Sequence, residues 1–284
     1  MNIENLSLYL NFCHQLANEA DKISMPNFIE QKNLEIEKKT DGSFVTKADK
    51  QIEDLLSSMI NNKFPSHGFF GEESSQKNTE SNFKWIIDPI DGTHGFMRGM
   101  PIWATLIALE YNQKIITSMI SAPALGSRWW ASQNNGAYKS FKDQVSKIEV
   151  SKIDQISESQ VLFTGTKECL KKWPNFQKIL DSAWRERGVG DFWGHCLVAE
   201  GVAESMIDPI VNIWDVAALY LLVTEAGGVM TDNAGLQSYS SGHAISSNKA
   251  IHPEIIATLS LKLFNLFFNS EIIFIQFFHV VSRD

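Results

Sequence analysis

Cysteine is scarce in this sequence, and the few cysteines that occur do not form a recognisable pattern. Three are present in 284 residues, and they lie far apart, at Cys13, Cys169 and Cys196. Their number is odd, and no Cys-x-x-Cys pair is found. These observations argue against a disulfide framework and against a cysteine-based zinc site, and they favour reduced thiols in a cytoplasmic protein.

An excess of positive charge is also lacking. The chain carries 25 lysine and arginine residues against 33 aspartate and glutamate residues, a formal net charge of -8. Nucleic acid is therefore not expected as a partner, because a phosphate backbone requires a basic protein surface. A small phosphorylated substrate is compatible with this charge, since bound metal ions can reverse its sign locally.

Long uninterrupted hydrophobic runs are missing at both ends of the chain. The first residues lack the basic start and the apolar stretch of a signal peptide. The apolar segment 261–281 is interrupted by polar residues such as Lys262 and Glu271, whereas a membrane span requires about 20 predominantly apolar residues. We therefore expect no membrane span. We interpret residues 259–284 as an atypical apolar tail that packs on the protein or on a partner, with membrane contact as the alternative.

What the sequence does contain is the composition of a globular protein. It has 44% hydrophobic and 20% charged residues, enough for one large domain or for two fused lobes. Apolar residues predict a helix over residues 6–23. A second helix is predicted after the cap residue Thr46, because Ile52, Leu56 and Ile60 follow the spacing of one buried helix face.

After these two helices, short segments rich in β-branched and aromatic residues predict several strands, and two further helices are predicted later in the chain. Strands in succession indicate a mixed or antiparallel sheet in the first half of the chain. A turn-rich link is expected over residues 64–71, and the polar stretch 139–160 is the candidate lobe junction. We therefore predict an N-terminal α+β lobe over residues 1–140 and a C-terminal α/β lobe over residues 141–258. The predicted strands are residues 84–87, 103–110, 115–121 and 128–131, and the later helices are residues 196–204 and 216–226.

Acidic residues concentrate in four short segments, of which the third is the most informative. There, Trp85 and two isoleucines form a short apolar run that is predicted as a strand. Asp88 follows this run directly, and Asp91 comes three residues later. Two carboxylates at the mouth of a sheet are unfavourable unless a cation neutralises them, and ligands that are all oxygen favour Mg²⁺. Gly92 and Thr93 then begin a segment whose free N–H groups could hold a phosphate. The other acidic segments are residues 41–49, 71–74 and 214–218.

Each acidic segment taken alone has an ordinary structural explanation. Residues 88–92 have the composition of a turn, and Glu72 with Glu73 is typical of a solvated loop. Asp49 suits the first turn of a helix, and Asp215 suits a helix N-cap. Only the four segments in this order support a metal and phosphate site.

Together, the four segments resemble the signature blocks of the inositol monophosphatase superfamily of Mg²⁺-dependent phosphatases. Residues 88–93 are similar to its central metal motif, and residues 214–215 with residues 225–228 are similar to its C-terminal motif. The likeness covers about residues 41–248. It implies an αβαβα sandwich, with a second sheet in the C-terminal lobe, and a homodimer.

The resemblance also implies roles for individual residues. Two to three Mg²⁺ ions are expected, with Mn²⁺ as a possible substitute, and an activated water attacks the phosphorus without a covalent phosphoenzyme. Glu72, Thr93 and Asp49 are the implied catalytic residues. The phosphate rests on the N–H groups of Gly92 and Thr93. The implied metal ligands are Glu72, Asp88, the Ile90 carbonyl, Asp91, Asp215 and Asp49, with Glu73 supporting them.

Within the superfamily, residues 98–109, 121–131 and 190–201 resemble the histidinol-phosphatase branch. Asp191 and Asp208 fall where the superfamily contacts the leaving group, and a carboxylate suits the ammonium group of histidinol phosphate. The alternatives for these two residues are a turn and an Asp-Pro loop. The implied reaction is hydrolysis of histidinol phosphate to histidinol and phosphate, in histidine biosynthesis. Inositol 1-phosphate or a 3′-phosphoadenosine nucleotide is the alternative substrate, and a catalytically silent binding protein with this fold is the alternative of another class.

Overall fold

The computed structural model describes residues 3–30, 34–40, 42–73, 77–78 and 80–260. Over these residues, the chain forms a short hairpin, two larger β-sheets and eight α-helices. Beyond Ser260, the predicted apolar tail lies outside the described residues, as does Asp41. The hairpin pairs β1 (Ile36–Lys38) with β2 (Phe44–Thr46) in antiparallel orientation.

The first large sheet has seven strands in the order β3-β4-β5-β6-β7-β8-β9. The pair β3 and β4 is parallel and the later neighbours are antiparallel, so the prediction of a mixed sheet is confirmed. Successive residues of β4 enter different cores, Ile86 on one face and Ile87 on the other, as expected for a sheet covered on both faces. The strands are β3 Gly68–Gly71, β4 Phe83–Asp91, β5 Ala104–Tyr111, β6 Lys114–Ala122, β7 Ser127–Ser132, β8 Ala137–Phe141 and β9 Gln144–Ile148.

The second sheet, which was also predicted, has five strands in the order β11-β10-β12-β14-β13. Its strand β10 is parallel to both neighbours, whereas β14 is antiparallel to both of its own. The strands are β10 Gln160–Phe163, β11 Arg185–Gly188, β12 Ser205–Asp208, β13 Val229–Thr231 and β14 Ala244–Ser247.

Helices complete a sandwich of five layers. The first two cover one face of the seven-stranded sheet, the sixth and seventh lie between the sheets, and the fourth, fifth and eighth cover the outer face of the second sheet. The predicted αβαβα fold is therefore confirmed. The helices are α1 Ile3–Ile29, α2 Lys47–Lys63, α3 Thr93–Arg98, α4 Thr166–Lys172, α5 Phe176–Ser182, α6 Asp191–Ala199, α7 Ile213–Glu225 and α8 His252–Ser260.

The clearest helix prediction is confirmed at its first residue. Thr46 caps α2 and forms a capping box with Asp49, in which the side chain of each residue binds the backbone of the other. Ile52, Leu56 and Ile60 are buried against α1 and the first sheet. The buried helix face therefore fixes where Asp49 lies relative to the end of β4.

Three local predictions are wrong. Part of the predicted link forms β3, because these residues pair with β4, and a Cβ on Gly68 would lie 2.8 Å from the Asn78 carbonyl oxygen. The strand expected to end before Asp88 continues through Asp91. The helix expected over residues 196–204 is α6, which begins five residues earlier, after Gly190 with its positive φ of 72°.

The division into two lobes stays a prediction. The seven-stranded sheet continues to Ile148 and the second sheet begins at Gln160. A boundary within residues 149–159 therefore follows the sheets more closely than one at residue 140, and it still lies inside the polar stretch.

Candidate active site

Strand β4 carries two of the predicted metal ligands, Asp88 and Asp91, on its last residues. In a regular strand, side chains three residues apart point to opposite faces. A bulge interrupts the pairing of β4 with β5 between these two aspartates, and a bulge shifts the alternation of side chains. Both carboxylates are buried, and the bulge allows both to approach α7.

The first turn of α7 supplies a third carboxylate. Asn212 is the N-cap, and Asp215 follows three residues later, where its side chain accepts a hydrogen bond of 2.6 Å from the Asn212 backbone N–H. One carboxylate oxygen from each of Asp88, Asp91 and Asp215 lies within 4.8 Å of the other two. The fold thus gathers three acidic residues that are widely separated along the chain.

This acidic cluster has the electrostatic properties of a cation site. Burial and then the charge of Glu72 raise the pKa of Asp88 well above its ordinary value. Burial raises the pKa of Asp215 to about 7, and burial followed by Asp191 raises that of Asp91. The Oδ1 atom of Asp88 is buried and has no hydrogen-bond partner among the described residues. Buried carboxylates that repel one another and leave an oxygen unpaired fit a hard divalent cation.

Glu72 lines the same hollow as the three aspartates, one residue beyond β3. The ammonium of Lys39 lies 2.8 Å from Glu72 Oε1 and 2.5 Å from Glu73 Oε1. The backbone N–H of Glu73 donates to Glu53 Oε2 at 2.8 Å. Glu73 therefore shares Lys39 with Glu72 and does not line the hollow itself, and its supporting role stays a prediction.

Asp49 lies behind this hollow and does not line it. Its Oδ2 accepts hydrogen bonds from the backbone N–H and the hydroxyl of Thr46, whereas its Oδ1 is buried without a partner in the described ranges. Burial raises the pKa of Asp49 to about 6, and its charge contributes to the raised pKa of Asp88. Asp49 is thus close enough to act on the cluster electrostatically.

Directly after β4, the chain turns through Gly92, the N-cap of α3, with a left-handed φ of 82°. The next residue, Thr93, donates its hydroxyl proton to the Ile90 carbonyl oxygen at 2.9 Å. The lone pairs of the Thr93 hydroxyl are therefore available as acceptors. Ile90, Gly92 and Thr93 line the same hollow as the acidic cluster.

Replacing Gly92 with alanine is expected to lower kcat/KM by about 10²-fold, because a displaced reacting group can cost this much. The added Cβ would lie 2.9 Å from the Ile102 carbonyl oxygen. Gly242→Ala is the matched control, since Gly242 has a φ of 78° and nothing within 4 Å of its Cβ position. Both variants should lose about 1–2 kcal/mol of stability through the left-handed backbone, and Gly92→Ala should lose more because the Ile102 carbonyl must shift. Urea unfolding and steady-state kinetics measure the two effects, and equal kcat/KM for both variants would contradict the prediction.

Asp191 and Asp208 line an adjoining hollow, which shares Asp91, Asp191 and Asp215 with the first. Asp191 begins α6 with a left-handed φ of 51°, and the next residue donates its N–H to Asp91 Oδ2 at 2.7 Å. Asp208 ends β12, and its burial raises its pKa to about 7. The two predicted substrate contacts are therefore close to the acidic cluster, and their roles stay predictions.

Two residues that contact predicted metal ligands were not themselves predicted. Lys39, which lies between β1 and β2, pairs with Glu72 and Glu73 just beyond β3, and no sequence signal indicates this contact. Asn212 could have been found, because an asparagine three residues before Asp215 and ahead of an apolar helix has the spacing of a capping box.

Comparison with known proteins shows the family. The model of the inositol monophosphatase family matches residues 5–262. The chain belongs to the inositol monophosphatase family. Enzymes of this family use divalent metal ions, and the acidic cluster has the donor set that such ions require.

Relatives and solved structures of the inositol monophosphatase family match most of this chain. A histidinol-phosphatase of Chlorobaculum parvum is 37% identical over 88% of this chain and 96% of its own length. A histidinol-phosphatase of Streptomyces coelicolor is 35% identical over 89% and 97%. The structure of an IMPase from Thermotoga maritima has a TM-score of 0.78 at 26% identity, covering 89% of this chain and 96% of that one. In the part of this family member that the structure describes, no helix has the length and apolarity needed to cross a membrane.

Proposed function

We propose that this protein is a phosphomonoesterase that requires divalent cations and hydrolyses histidinol phosphate. The observation that carries the proposal is the meeting of three carboxylate oxygens, from Asp88, Asp91 and Asp215, within 4.8 Å of one another. They share a hollow with Gly92 and Thr93. The choice of histidinol phosphate is supported by the names of the relatives that are 35% and 37% identical.

Mg²⁺ is the proposed ion, with two to three ions bound and Mn²⁺ as a substitute, because every donor is an oxygen. Asp88 and Asp91 would hold two of the ions, with Asp215 joining them on the second and Asp49 assisting a weaker third. Glu72 and the Ile90 carbonyl would complete the ligands of the first ion. Such ions would neutralise the cluster and supply a water of lowered pKa.

The residues of this chain then have separate tasks. The N–H groups of Gly92 and Thr93 bind the phosphate oxygens. The Thr93 hydroxyl, which already donates to Ile90, can accept a hydrogen bond from the attacking water and orient it, and Glu72 takes the proton of that water as general base. Asp191 and Asp208 bind the ammonium end of the leaving group. Lys39 holds Glu72 through its ion pair of 2.8 Å.

A homodimer, a cytoplasmic location and the two-lobe division complete the proposal. The dimer rests on the family resemblance, and the location on the unpatterned cysteines Cys13, Cys169 and Cys196, all buried as free thiols. Size-exclusion chromatography with light scattering tests the dimer directly, since a 32.0 kDa chain would elute at twice this mass.

A substrate panel tests the proposed function. With saturating Mg²⁺, we expect kcat/KM for histidinol phosphate to exceed that for inositol 1-phosphate and for a 3′-phosphoadenosine nucleotide by about 10²-fold or more. Neither alternative carries an ammonium group, so the buried carboxylates of Asp191 and Asp208 would be left without their partner. Phosphate release measures all three reactions. A preference for inositol 1-phosphate would replace the proposed substrate, and no hydrolysis of any ester would indicate a binding protein.

A further inference from the structure

A buried histidine that the proposed mechanism does not use lies next to the acidic cluster. His195 is on α6 and is 1% exposed. Its Nδ1 lies 2.7 Å from the Ser246 hydroxyl of β14, which fixes the ring, whereas its Nε2 has no partner among the residues that the structure describes. A buried polar atom left unpaired loses its hydrogen bonds to water without replacement, so such an atom calls for a ligand or a functional explanation.

His195 lines the hollow that adjoins the acidic cluster. The polar walls of this hollow come from Asp191, Asp208 and Thr164, and apolar walls come from residues such as Phe192 and Leu219. Because the hollow shares Asp91 and Asp215 with the cluster, a phosphate ester bound at the cluster would extend its leaving group into it. Burial lowers the pKa of His195 to about 3, so the ring is neutral at pH 7 and its Nε2 is a single donor or a single acceptor.

We propose that this hollow receives a nitrogen heterocycle on the leaving group, and that Nε2 of His195 hydrogen-bonds one ring nitrogen of that heterocycle. The inference rests on the proposed function and names the residue that recognises the ring. His195 is a specificity-determining residue, in addition to Asp191 and Asp208. The Ser246 hydroxyl can donate to Nδ1 or accept from it, so Nε2 is an acceptor or a donor, and the imidazole ring of the ligand can present the complementary group.

The combination of polar and apolar residues around this hollow favours a heteroaromatic ring over a cyclic polyol as its ligand. An imidazole carries two polar atoms at its edge and has apolar faces, which suit Phe192 and Leu219. A cyclic polyol carries hydroxyl groups around its whole ring, and the apolar walls would leave several of them without partners, which costs binding free energy.

Two substitutions at His195 separate ligand recognition from support of the fold. Asparagine reaches the position of Nδ1 and keeps a partner for Ser246, but it has no atom at the position of Nε2. Glutamine reaches the position of Nε2. The readout is the ratio of kcat/KM for histidinol phosphate to kcat/KM for phenyl phosphate, which has no ring nitrogen. We expect His195→Asn to lower this ratio about tenfold, the size of a typical lost hydrogen bond to substrate, and His195→Gln to lower it less than about threefold.

The wild-type protein provides a second measurement that does not depend on how the variants fold. Methylation of the imidazole nitrogen that contacts Nε2 should raise KM about tenfold, so one of the two N-methyl isomers of histidinol phosphate should be the poorer substrate. An unchanged ratio in His195→Asn, equal losses on both esters, or two N-methyl isomers that match the parent would each overturn the role of His195. A wild-type protein that cleaves phenyl phosphate but not histidinol phosphate would instead reject the proposed substrate.

Discussion

Replacing Asp88 with asparagine is expected to lower kcat by more than about 10³-fold while leaving the fold intact. Asp88 contributes to the oxygen cluster with Asp91 and Asp215, and loss of a cation that stabilises the reacting charges by several kcal/mol corresponds to this factor. Because the pKa of Asp88 is raised well above its ordinary value by burial and by Glu72, asparagine resembles the neutral form in shape and charge. The metal-free variant should therefore unfold at nearly the same temperature as the metal-free wild type.

The control for this substitution is Asp54→Asn, which makes the same chemical change at an exposed position of α2. Its kcat and its unfolding temperature should equal those of the wild type. Near-normal turnover by Asp88→Asn with saturating Mg²⁺ would show that the cluster is not the reaction centre. A large drop in its unfolding temperature would show instead that Asp88 mainly supports the fold.

Removal of divalent cations is expected to make stability fall as the pH rises from about 6.5 to about 8. Buried histidines with lowered pKa values oppose this fall only below about pH 6.5. Burial is the largest cause of the raised pKa values, which reach about 6 for Asp49 and about 7 for Glu73, Asp208 and Asp215. Above pH 4 the unfolded chain has released protons that the folded protein still holds. The contribution of these carboxyl groups to stability is complete below the pKa values that they have in the unfolded chain. It is lost as the pH rises through the pKa values that they have in the folded protein.

Adding Mg²⁺ should reverse this loss at pH 8. An ion present at about 100 times its dissociation constant stabilises the folded state by about 2.7 kcal/mol, which corresponds to roughly 5 °C or more in the unfolding temperature of a chain of this size. Thermal unfolding in chelator and in Mg²⁺, at several pH values, measures both effects. Asp88→Asn should show a smaller response to Mg²⁺ and Asp54→Asn a full one. A wild-type unfolding temperature that did not respond to Mg²⁺ at any pH would contradict the proposed cation site.

Helices and strands with a strong apolar pattern were predictable, and elements defined by pairing were not. The face formed by Ile52, Leu56 and Ile60 has a helical period that no other structure satisfies. In contrast, Gly68–Gly71 has the glycine content of a turn and becomes a strand only because it pairs with β4. The start of α6 was missed for a similar reason, since Asp191 adopts a positive φ that its sequence does not indicate.

The candidate site, like the fold, was predictable only in part. Sequence signals indicated which residues carry the chemistry, because paired carboxylates beside an apolar strand and a Gly-Thr step have few other uses together. They did not indicate how Asp88 and Asp91 come to approach the same helix, which depends on a bulge within β4. Nor did they indicate Lys39 or His195, whose surroundings consist of residues that are distant along the chain.

The sequence by itself determined the family, the succession of elements and the set of acidic residues, because local periodicity and short motifs are properties of neighbouring residues. Only the tertiary structure decided which oxygens meet, which carboxylates are buried enough to hold protons near pH 7, and which ring nitrogen is left without a partner. These depend on sheet register and on burial by other layers, and both arise from contacts between residues tens to hundreds of positions apart.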